Sequence, residues 1–171
     1  MYEPDYDAAA SYWIEKDKVS AHLDRETLKK KIDEFLKNHN TCALATANAD
    51  MVRNTPIEYN YVDGVIYLFS EGGLKFKALK ENKNVSLAIF ESYEGFGNLK
   101  SIQIQGKAEM VEPFSDEYLK LLAHKKISEE WMRKIPKPLI LIKVVPVSYD
   151  YLDSDLKKDG FENRQHLEIK M

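Results

Sequence analysis

The sequence predicts a mainly β domain with flanking helices, folded as a small barrel of six strands. Three observations predict it. From Thr41 onward apolar residues fall in short β-type runs; the breaks between the first runs carry hairpin chemistry; and helical spacing is confined to the N-terminal segment, one short crossover and a late insertion.

Tyr6 to Lys16, with Ala8-Ala9-Ala10 and Trp13-Ile14, reads as a short helix that packs on the barrel or on a partner chain, so residues 1–24 are set apart as an N-terminal segment from a domain at 25–171. Arg25 to Asn38 repeats Leu28, Ile32, Phe35 and Leu36 on one helical face, with lysines around it. Six strands follow: Cys42 to Thr46, Val52 to Tyr61, Val65 to Phe69, Val85 to Phe90, Ser101 to Val111 and Leu139 to Tyr149. Asn48 and Asp50 supply the first turn and Asp63-Gly64 the second, which makes the first three strands a meander. Leu74 to Glu81 is the crossover helix. Ser115 to His124 and Ser128 to Lys134 form the insertion, which Pro136 and Pro138 close. This pattern of short strands with a single crossover is that of a small closed barrel.

Bulk composition narrows the function. The 44% hydrophobic and 31% charged content of these 171 residues is that of a globular chain. A net charge of -3 gives no general attraction to nucleic acid or anionic lipid. The most apolar run, Pro138 to Val147, is broken by Lys143 and too short for a membrane span, and Met1 to Asp7 does not read as a secretory signal. One cysteine, Cys42, in an apolar strand suits a buried inert thiol and a reducing cytoplasm. The four histidines show no metal-ligand spacing, so no metal is expected.

Two motifs carry chemistry. In Val52 to Tyr59, alternation puts Arg53, Thr55, Ile57 and Tyr59 on one face, while Pro56 demands an edge, a bulge or a ligand contact. Taken alone, a solvated edge strand with an incidental arginine is the default reading. In Leu68 to Lys75 a strand ends, Gly72-Gly73 permits unusual backbone angles, and a lysine opens a helix, an arrangement suited to phosphate. The alternative is a plain loop with a surface lysine. Together, Arg53 and Lys75 can neutralise a phosphate dianion from two sides. Ser101, at the mouth of its strand beside the glycine loop at Gly95 and Gly97, is a third ligand candidate, whereas Gln103 and Gln105 read as a solvated face.

The run from Val52-Arg53 through Asp63-Gly64, Lys75, Leu79, Asn82 and Val85 to Gly106-Lys107-Ala108-Glu109 resembles the pyridoxamine 5'-phosphate oxidase superfamily over about residues 25–150. Its opening segment and the stretch Phe69 to Lys77 look like a bacterial branch of it. The resemblance implies an FMN-binding split barrel, usually a homodimer with FMN at the subunit interface. It implies that Arg53 and Lys75 bind the flavin phosphate, that the backbone of Asn54, Thr55, Pro56, Ile57 and Glu58 runs along the ring, that Leu68, Phe69 and Ser70 touch the flavin, and that Ser101 supplies a polar contact. The chain departs from the oxidase pattern at Gly73 and Leu74, where the oxidase has serine and arginine. Its tail carries only Arg164 and His166 in place of a basic, tryptophan-containing grip on the vitamer. The expectation is an FMN-dependent oxidoreductase with an unidentified small substrate and NADH or NADPH as a possible donor, no side chain standing out as catalytic. The alternative is a flavin or haem binder without turnover. Haem-handling relatives use histidine, and residues 41–111 contain none.

Overall fold

The computed structural model describes residues 2–169. Helix α1 spans Tyr6–Asp17 and α2 spans Arg25–Asn38; the strands are β1 (Thr41–Ala47), β2 (Val52–Glu58), β3 (Asn60–Val62) and β4 (Val65–Ser70). Helix α3 (Lys75–Glu81) leads to β5 (Asn84–Phe90) and β6 (Lys100–Val111). Helices α4 (Asp116–His124) and α5 (Glu129–Lys134) precede β7 (Ile140–Asp153) and β8 (Arg164–Glu168). All ladders are antiparallel, in the order β2-β1-β5-β6-β7-β4-β3, with β8 added to β7. The sheet curls until β2 approaches β4, with no ladder between them, so the barrel is split.

Eight strands replace the six expected. The long second run breaks at Tyr59, which is buried and donates its hydroxyl to the Leu36 carbonyl at 2.9 Å, pulling the chain out of the ladder toward α2. The tail forms β8, whose Gln165 and Leu167 point inward while Arg164, His166 and Glu168 point out. The 14-residue β7 reaches Asp153 because its first half pairs with β4 and its second half with β8.

Alternation builds the core. Cys42, Leu44 and Thr46 face inward from β1, Val85, Leu87 and Ile89 from β5, and Ile102 and Ile104 from β6. Helix α2 starts at Asp24, whose carboxylate accepts from the Thr27 amide at 3.0 Å, and packs Leu28, Ile32, Phe35 and Leu36 into this core. Burial holds the Cys42 thiol up at about 12, so it stays protonated and inert. A smaller cluster, with Tyr67, Tyr118, Leu122 and Met132, seats α4 and α5 on the other face of β4 and β7. At Gly106 the β6–β7 register shifts, and a Cβ there would lie 2.5 Å from Val144 Cγ1. Glycine is required for that contact.

Candidate functional site

The inward rung that holds Gly106 continues through Val85 on β5 and Thr46 on β1 to Arg53 on β2. Helix α3 packs on β1 and β2. Its anchoring explains a spaced set of residues: Leu79 is in the core, and Asn82 donates to the Ala47 carbonyl at 3.0 Å, tying the helix end to the β1–β2 hairpin. The first residue of α3 is Lys75, whose side chain is 6% exposed and whose ammonium donates to the Gly72 carbonyl at 2.5 Å. Gly72 and Gly73 reach φ values of 134° and 105° to fold this loop back over the lysine. Burial, and then the charge of nearby Arg53, push the Lys75 ammonium below its ordinary value.

Among the described residues neither Arg53 nor Lys75 has a carboxylate within ion-pair distance. A buried ammonium beside a second cation is unfavourable without an anion between them. Thr46 Oγ1 and Thr55 Oγ1, on the same inward face as Arg53, are buried without a hydrogen-bond partner. This combination of cations and unsatisfied donors fits a phosphate.

The other expected site residues divide by face. Thr55 and Ile57 share the inward face of β2 with Arg53, whereas Asn54, Pro56 and Glu58 point outward, Glu58 pairing with Lys125. Strand β2 is an edge that pairs only with β1, which suits Pro56 and leaves backbone groups free along its other side. Leu68 is fully buried in the barrel. The Phe69 ring is half-buried and packs edge-on to Tyr118 of α4, with centroids 5.7 Å apart. Ser70 is buried, and its hydroxyl engages the Gly72 backbone at 3.2 Å. Ser101 lies on the opposite, outer face of the sheet, and one chain does not bring it to Arg53.

Ser101 belongs instead to a cleft of about 580 Å³ between α1 and the outer faces of β6, β7 and β8. Its floor has two rungs, Ser101–Leu152–Arg164 and Gln103–Asp150–His166. His166 Nδ1 lies 2.7 Å from Asp150 Oδ1, and Arg164 stacks on Trp13 of α1 at 4.4 Å. Sequence reading missed Trp13, Asp150, Arg164 and His166 as a group. The alternation of β8 was the one available signal.

The profile of the pyridoxamine 5'-phosphate oxidase family matches residues 28–150, most of the chain. The chain belongs to that family. No curated protein matches it. Solved structures with the same fold include an FAD-binding protein from Mesorhizobium loti, 21% identical, with 71% of this chain and 89% of that one covered at a TM-score of 0.57. The haem storage protein HutZ from Vibrio cholerae is 20% identical, with 70% and 89% covered at 0.58. Campylobacter jejuni ChuZ is 18% identical and covers 97% of this chain, which covers 70% of it, at 0.65. At these identities the likeness shows the family's fold alone. No helix of the described residues is long and apolar enough to cross a membrane.

Proposed function

We propose that this chain is a cytoplasmic FMN-dependent oxidoreductase, active on a small molecule as a homodimer. The observation that carries the reading is the pair Arg53 and Lys75: two neighbouring cations, one of them buried, with no carboxylate partner among the described residues. Arg53 and Lys75 hold the phosphate. The free backbone edge of Asn54 to Glu58 offers hydrogen bonds to the amide-like rim of the ring. Flavin supplies hydride and electron transfer when bound, and the protein supplies position and electrostatics.

Two features support the dimer. The outer face of β1 and β5 presents Ala43, Ala45, Ser86 and Ala88, small side chains that remain partly exposed in the single chain and suit close approach of a second copy. Ser101 lies on the same face, so a flavin contact from it requires a second copy.

A second reading is a flavin or haem binder without turnover. It is favoured by His166, which Asp150 orients within the cleft. The two readings part on one experiment: the visible spectrum of freshly purified protein, followed by NADH or NADPH addition under nitrogen. A flavin spectrum that bleaches supports the oxidoreductase. A flavin spectrum that neither nucleotide bleaches, or a Soret band that His166→Ala removes, supports the binder.

A further inference from the structure

Thr46 occupies an unusual place for a hydroxyl. It is the last inward residue of β1, 2% exposed, flanked by Val85 on one side and Arg53 on the other. Its Oγ1 meets no acceptor or donor. Buried hydroxyls in folded proteins are nearly always satisfied, and one left unsatisfied calls for an explanation. Valine has the same shape and carries no such cost, so packing alone does not explain threonine here. Thr55 Oγ1, on the inward face of β2, shares this state, so the orphaned donors gather beside Arg53 and under α3 rather than scattering through the core.

We infer that the Thr46 hydroxyl is a reserved donor to the bound phosphate, a third arm of the site formed by Arg53 and Lys75. This rests on the FMN reading and extends it to a residue deep in β1. Arg53 and Lys75 provide charge from the strand edge and the helix start, and Thr46 provides a short neutral donor from the barrel interior. A phosphate has enough acceptor oxygens for all three. Before binding, the hydroxyl is a local defect; on binding it is satisfied, so its benefit falls on the complex and its cost on the free protein.

The test measures FMN and riboflavin affinity by titration, together with the melting temperature of flavin-free protein, for wild type, Thr46→Val and Thr46→Ser. Thr46→Val is expected to weaken FMN about tenfold or more, as for loss of a hydrogen bond to a charged group. Riboflavin affinity should stay unchanged, and the flavin-free protein should melt at the same or a higher temperature. Thr46→Ser should bind FMN close to wild type. The inference is overturned if Thr46→Val keeps the wild-type preference for FMN over riboflavin, or if it destabilises or unfolds the flavin-free chain, since the hydroxyl would then serve the fold. If wild type itself shows no preference for FMN, the FMN reading fails, and that result is distinct from a preference the variant leaves intact.

Discussion

The cleft under α1 and the inner rung at Arg53 treat their basic side chains in opposite ways. Under α1, Lys16 pairs with Glu162 at 2.9 Å and Lys18 with Glu15 at 2.6 Å, and His166 hydrogen-bonds Asp150 at 2.7 Å. Arg164 has no carboxylate partner among the described residues and lies on the Trp13 ring. At the inner rung, Arg53 lies near enough to Lys75 for its charge to be felt, neither has a carboxylate partner among the described residues, and the Thr46 and Thr55 hydroxyls nearby have no hydrogen-bond partner there. Paired charges help hold α1 over its cleft; α1 itself buries no residue. Of the two inner-rung cations, Lys75 is buried and Arg53 exposed, and a buried ammonium without a carboxylate partner is costly to the free protein. Charge count alone does not separate the two places, whereas missing partners do, and on that difference the proposed phosphate site rests.

The comparison breaks first at Lys75. Charge-assisted contacts to phosphate contribute roughly 1.5–3 kcal/mol each, so Lys75→Ala should weaken FMN by about ten- to a hundredfold in a flavin titration. Arg164→Ala should leave the preference of FMN over riboflavin where it was. An effect of equal size from Arg164 would erase the distinction between the cleft and the inner rung.

Lys75 also sets a pH profile. Burial and Arg53 depress its ammonium, and a bound phosphate favours the charged form. FMN affinity should therefore be full below that depressed value and fall as pH rises through it, beneath the ordinary lysine value of about 10.4. The flavin-free protein follows the opposite course. In the same window the unfolded chain binds more protons at this site, so wild type should gain stability relative to Lys75→Met as pH rises. Titrations and melts at matched pH values check both signs.

Gly106→Ala probes the rung itself. The new Cβ meets Val144 Cγ1 and the Val145 carbonyl, at 2.5 Å and 3.0 Å. Overpacking of this kind costs about 1–3 kcal/mol, read as a lower denaturation midpoint. The smallest effect belongs to α1: Trp13→Ala removes its stack with Arg164, a contact worth about 0.5–1 kcal/mol at an exposed site, and should accelerate proteolysis of α1 while leaving the global melt nearly unchanged.

Period-two alternation made most of the barrel legible: the inward set of β1, β2, β5 and β6 follows from the strand runs, and Pro56 announces an edge. That Arg53 and Lys75 come near one another was readable from strand and loop chemistry together with family resemblance. Three things were not. The break at Tyr59 depends on a hydroxyl reaching the Leu36 carbonyl, a contact 23 residues back. Strand β8 is short and polar on its outer face, and it exists because β7 offers a free edge beyond β4. The side to which Ser101 points depends on which face of β6 is covered, and alternation groups Ser101 with Gln103 without saying which face that is.

The central claim is that unpaired cations at the inner rung hold a phosphate. The most direct measurement compares FMN with riboflavin binding in wild type and in the Arg53→Ala, Lys75→Ala double variant, with circular dichroism to confirm folding. Wild type is expected to bind FMN far more tightly than riboflavin, and the double variant to lose most of that preference, with riboflavin affinity preserved. A folded double variant that still prefers FMN as wild type does would contradict it.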